Sequence, residues 1–155
     1  MSNKDTFLMA HLMRRAGFGA SLGEIKELVK NGYDETVDHM LDDEPNIPVS
    51  EYMIRRYQPD YGAALGSTTN GANWMYRMIW SDHPLREKVA LFWHGIFATG
   101  YAKLANGKVL HDQIKMLLKN GMGNYENLLL ELSKDPAMII WLDNCESHKG
   151  SINEN

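Results

Sequence analysis

Arg86 and His94 are the two residues that core packing explains least in the central stretch PLREKVALFWHGIFATG, Pro84 to Gly100. Leu85, Val89, Phe92 and Ile96 fall on one narrow line of a helix there, with Ala90, Trp93 and Phe97 beside it. Arg86 then projects inside the apolar arc. A guanidinium in that position must reach solvent or a carboxylate, because an unpaired buried charge is very costly. His94 lies on the flank between Ala90 and Ala98, small residues that let another helix or backbone come close. Its imidazole is the candidate catalytic group, since it can give or take a proton near neutral pH. Near the start of the chain, Phe7, His11 and Arg14 share one side of a helix, and Arg15 follows one turn after His11. Arginine binds carboxylate and phosphate through paired hydrogen bonds, so His11, Arg14, Arg15 and Arg86 are candidates for holding an anionic ligand. The competing reading is structural: two arginines in a last helical turn suit the negative end of the macrodipole.

The elements that position these residues are all read as helices. Asp5 or Thr6 caps a first helix through Arg15, ended by Gly17 and Gly19. Ser21 with Glu24 makes a capping box for a second helix to about Asn31; Gly32 stops it, and Asp34 starts a third through Leu41. The acidic run Asp42–Glu44, followed by Pro45 and Pro48, is a solvated loop. Glu51 to Tyr57 is a short helix, and residues 58–73, rich in Gly, Ser and Thr, are a flexible loop. Ala72 to Trp80 is apolar nearly all round and is expected to be buried among its neighbours. Pro84 takes the first position of the central helix. YAKLANG reads as a loop, leading to a helix from Lys108 to Asn120 with Leu110, Ile114, Leu117 and Leu118 inward and His111 solvated. Asn124 caps a helix to Ser133 with an edge of Leu128, Leu129 and Leu132. Asp135 and Pro136 open a last one to Leu142. No alternating strand pattern occurs, so the fold class is all-α: about seven to eight helices in an irregular orthogonal bundle, one domain over residues 1–155 with a polar tail from 143 to 155.

Composition bounds the function classes. With 44% hydrophobic and 23% charged residues among 155, the chain has ordinary globular usage and enough length for a core. A net charge of −4 offers no general attraction to nucleic acid or an anionic membrane, so neither partner is expected. A single cysteine, Cys145, excludes an internal disulfide and a cysteine-rich zinc site. Asp143, Glu146 and His148 lack metal-ligand spacing, and no metal site is read. No cofactor is evident: the glycines of DYGAALGSTTNGAN are not followed by the Gly-Lys-Ser/Thr of a phosphate-binding loop. The N-terminus has no signal-peptide pattern and no window is apolar enough to span a bilayer, so the expected location is cytoplasmic. Ten methionines read as helical core filler, with a ligand groove as the alternative.

Three stretches in this order, HLMRRAGFGA, PLREKVALFWHGIFATG and DPAMIIWLDNCESHKGSINEN, resemble the bacterial family known as domain of unknown function 1800. The positions that carry the resemblance are His11, Arg14, Arg15, Arg86, Glu87, Trp93, His94, Asp143, Asn144, Asn153, Glu154 and Asn155. The resemblance implies a helical fold and no established activity, and many such proteins are exported. It adds Asn144, Asn153 and Glu154 to the candidate binding residues. Family members often carry a second histidine two residues after His94, where this chain has Ile96, so a histidine-pair metal site is not carried over. In the family the asparagine-glutamate-asparagine run normally continues into a tyrosine-alanine-arginine-glutamate helix; this sequence ends at Asn155, and the chain is expected to be an N-terminal fragment of a longer family protein.

Two functional readings follow. In the first, the arginines, histidines and tail carboxylate form a buried network inside a helical scaffold or interaction domain. In the second, they belong to a hydrolase- or transferase-like site for a small anionic ligand. Expected partners are a second copy of the chain, the missing C-terminal part of the same protein, or that anion.

Overall fold

Ser2, not Asp5 or Thr6, begins the first helix in the computed structural model, which describes residues 2–42, 56 and 67–153. Its hydroxyl accepts from the Lys4 amide at 3.1 Å, and its own amide donates to Asp5 Oδ2 at 3.3 Å. This reciprocal cap satisfies two end donors and draws Asn3 and Lys4 into α1, Asn3–Ala16. The same device works as expected at Ser21 and Glu24, opening α2, Leu22–Asn31. Gly32, at φ 112, then takes a backbone conformation open mainly to glycine and turns the chain into α3, Tyr33–Leu41.

The helix after the central loop starts earlier than its composition suggests. α4 spans Ser67–Trp80, so residues 67–73 of the expected loop are helical, while 58–66 lie outside the described residues. Of the expected helix over Glu51–Tyr57, only Arg56 is described. Tertiary contact overrides the weak propensity of Ser, Thr, Asn and Gly in α4: Asn70 and Asn73 are buried, and the Asn70 amide donates to the Gly107 carbonyl. α4 is also not buried all round, since Met75, Ile79 and Trp80 are exposed.

α5 runs Pro84–Ile96, stopping one turn short of Gly100. Its buried positions are Glu87 and Ala90, whereas Phe92 and Ile96 are 57% and 53% exposed. The line expected to face the core is therefore turned partly outward. YAKL folds as a single turn, α6, Tyr101–Leu104, ended by Ala105 at φ 49; Leu104 buries its side chain and stabilises the turn. α7, Gly107–Asn120, α8, Tyr125–Lys134, and α9, Pro136–Trp141, are capped by Asn106, Asn124 and Asp135. A short 3-10 helix, Asn144–Glu146, carries the exposed Cys145.

Among the described residues the chain is all-α, with nine α-helices and no strand beyond an isolated bridge between His148 and Ser151. It divides into two compact units. The first is Met1–Val49 with Tyr76–Lys88, and the second is Ser50–Met75 with Val89–Asn155. In the first, α1 packs on α2 and α2 on α3, with Met9, Ile25 and Met40 buried. In the second, α9 packs on α6, α7 and α8, and Leu104, Leu110 and Ala137 form a small core closed by Val109, Ile140 and Trp141.

Candidate functional site

In the first unit the chemistry converges on three consecutive residues of α5. Pro84 starts the helix, and each residue then turns by about 100°, so Arg86, Glu87 and Lys88 diverge over roughly 200°. Each reaches a different helix. Arg86 Nη2 donates to the carbonyl of Asp42, the residue that ends α3, at 3.1 Å. Lys88 Nζ donates to the carbonyls of Arg14 and Gly17 at 2.8 and 2.6 Å, closing the end of α1, and lies 5.3 Å from the Phe18 ring centre. Both cations thus sit where a helix presents unsatisfied carbonyls and the negative end of its dipole.

Glu87 points the other way, and its side chain has no exposed surface. Arg77 of α4 meets it, Nε to Oε1 at 3.2 Å, with the arginine mostly covered. Nearby in sequence, His83 is buried with its ring 5.6 Å from that of His39, and among the described residues its Nδ1 has no hydrogen-bond partner. A buried carboxylate with an arginine partner therefore exists here, carried by Glu87 and Arg77.

The second unit holds a second buried polar chain, this one without an ion pair among the described residues. Thr99 Oγ1 donates to Gln113 Oε1 at 2.5 Å, and Gln113 Nε2 donates to Asp135 Oδ2 at 2.8 Å. That same oxygen accepts from the Met138 amide at 2.9 Å as the cap of α9. Burial pushes the Asp135 carboxyl above its ordinary value, while the hydrogen bonds it accepts pull it back. Gln113 is fully buried. His111, expected in solvent, is buried as well, because α7 turns its Leu110–His111 edge inward.

His94 is half-buried with its ring edge-on to Trp74, 5.4 Å between centres. Burial lowers its pKa, which favours the neutral imidazole, and among the described residues its Nδ1 has no hydrogen-bond partner. Trp93 beside it donates from Nε1 to the Gly121 carbonyl at 2.7 Å and stacks on Phe97 and Tyr125.

A family model described as "Protein of unknown function (DUF1800)" matches residues 11–155. The chain belongs to this family. No curated protein and no solved structure matches it. The DUF1800 match runs through the Arg86–Lys88 triplet, the Trp93–His94 pair and the Asp135 cap.

The candidate residues of this DUF1800 chain take the following places. His11, Arg14 and Arg15 lie exposed on α1 in the first unit, where Arg86 engages Asp42. His94 belongs to the second unit, as do Asn144, exposed in the 3-10 helix, and Asn153, whose Nδ2 donates to the Leu142 carbonyl at 2.9 Å. Glu154 lies outside the described residues. Asp143 pairs with Lys103 at 2.7 Å, and Lys103 also holds the Trp141 carbonyl. Among the described residues, no group of three or more His, Cys, Asp or Glu side chains is placed to hold a metal ion. None of their helices is long and apolar enough to cross a membrane.

Among the described residues, Glu87 and Gln113 are the two large polar side chains that are fully buried, and both had a readable signal. Gln113 stands three residues after Leu110 and four before Leu117, on the inward face of α7. Glu87 stands three residues before Ala90 and seven before His94.

Proposed function

We propose that this chain is a helical scaffold and interaction domain whose charged motif residues hold helices together. The observation that carries this reading is the Arg86–Glu87–Lys88 triplet. Its three charges are engaged by the end of α3, by Arg77 of α4 and by the end of α1. A site built to bind an anion keeps its cations facing a ligand; here two of them face helix carbonyls. The Thr99–Gln113–Asp135 chain supports the same reading, since each of its members is buried and engaged. The hydrolase- or transferase-like alternative draws on His94, whose pKa burial lowers and whose Nδ1 has no partner among the described residues.

Arg86→Ala and Lys88→Ala test the proposal by thermal unfolding and amide hydrogen exchange. Both variants are expected to melt earlier, with faster exchange in the last turn of α1 for Lys88→Ala and of α3 for Arg86→Ala. An Arg86→Ala protein with wild-type melting that has lost phosphate, sulfate or dicarboxylate binding would overturn it in favour of the anion site.

A further inference from the structure

Resting on the scaffold reading, we propose that the outer face of α1 is a docking surface for an acidic peptide segment of another protein, anchored by one apolar side chain. The six residues of that face are Lys4, Phe7, Leu8, His11, Arg14 and Arg15. At 3.6 residues per turn they fall within a stripe roughly 120° wide. Every one of them is exposed, Phe7 to 66% and Leu8 to 41%. The stripe has no carboxylate, although the chain as a whole has a net charge of −4. Among the described residues, the guanidinium groups of Arg14 and Arg15 and the imidazole of His11 make no hydrogen bond or ion pair. Lys88 already closes the end of α1, so these two arginines are not needed as its caps.

The partner follows from the chemistry of the face. Paired guanidinium groups one residue apart suit carboxylates, and Arg beside exposed aromatic surface is the composition of strong contact points. Immediately beside the stripe, a cleft of about 170 Å³ is lined by Leu8 and Met9 of α1, by Val29 of α2 and by Tyr33, with Asp5 at its edge. That is room for a single aliphatic or small aromatic side chain, so a peptide with one apolar residue among acidic ones complements the whole surface. A membrane surface fits less well: it calls for a broad apolar face, and this stripe offers only Phe7 and Leu8. A second copy would have to present its own acidic groove, where Glu35, Asp38 and Asp42 line the α2–α3 side.

The experiment is selection of a random dodecapeptide display library on the wild-type chain and on the Arg14→Gln/Arg15→Gln variant, with melting curves for both. The wild type is expected to enrich peptides rich in Asp and Glu around one Leu, Ile or Phe. The variant, with unchanged melting, is expected to bind the enriched peptide at least about tenfold more weakly. Leu8→Asp is expected to remove the preference for the apolar residue. Absence of acidic enrichment overturns the proposal, as does equal binding by the double variant. So does binding to phosphatidylserine vesicles in place of peptide, or self-association in light scattering that the same substitutions abolish. Any of those results leaves the scaffold reading intact, since that reading stands on the melting of the Arg86 and Lys88 variants.

Discussion

The Nε of Arg77 lies 3.2 Å from Oε1 of Glu87, a carboxylate with no solvent-exposed surface. Removing one partner of such a pair strands the other charge. Glu87→Ala is expected to destabilise the protein by about 3 kcal/mol, because a buried ion pair broken from one side leaves an uncompensated charge. Denaturant unfolding of the two proteins measures this directly, and a loss below about 1 kcal/mol, the level of an exposed pair, contradicts the assignment.

Asp135 gives a pH signature. Its folded pKa is raised above the ordinary 3.8, chiefly by burial. The folded state therefore holds this proton more tightly than the unfolded chain does. The contribution is fully present below pH 3.8 and is lost as pH rises through the folded value. Relative to Asp135→Asn, which does not titrate, the wild type is expected to lose stability across that window. Unfolding curves from pH 3 to 6 give the comparison, and parallel profiles for the two proteins rule the effect out.

His94 titrates with the opposite sense. Burial lowers its folded pKa below 6.5, so the folded state binds the proton less well than the unfolded chain. Its contribution is present above pH 6.5 and is lost as pH falls through the lowered value. NMR titration is expected to place the His94 midpoint below 6.5. His94→Phe is expected to flatten the part of the acid-side stability slope that this group supplies.

Gly121→Ala tests the packing around Trp93. Gly121 has ordinary right-handed backbone angles, so room is the constraint. An added Cβ would stand 2.5 Å from the Leu117 carbonyl oxygen and 3.0 Å from Trp93 Cδ1. The expected cost is about 1–3 kcal/mol, with a changed near-ultraviolet signal as the indole shifts off Phe97 and Tyr125. An unperturbed signal together with wild-type stability would show that the added methyl meets no constraint at this position.

The helical class was legible because capping residues announce helix ends locally. Ser21–Glu24, Asn124 and Asp135–Pro136 each stand where the structure starts a helix. What the sequence concealed was tertiary. Ser67–Asn73 reads as loop because its residues disfavour helix in isolation; burial of Asn70 and Asn73 reverses that preference. The face of α5 was misread for a related reason. Apolar periodicity pointed to Phe92 and Ile96, yet Arg77 lets Glu87 go inside instead. Of the candidate residues, Arg86 is expected from the sequence to reach solvent or a carboxylate, and nothing local foretells that its Nη2 meets the helix-ending carbonyl of Asp42.

The first unit is discontinuous, and this gives its assembly an order. The hydrogen bond from Lys88 to Arg14 joins residues 74 apart, and that from Arg86 to Asp42 joins residues 44 apart. During synthesis, α1, α2 and α3 emerge well before the residues that close the ends of α1 and α3. Until residue 88 has been made, the end carbonyls of α1 and α3 lack the donors that Lys88 and Arg86 supply. Closing so long an intervening segment costs loop entropy, though that cost grows only slowly with length. The arrival of a single turn of α5 thus acts as the clasp that converts a nascent three-helix segment into a finished unit.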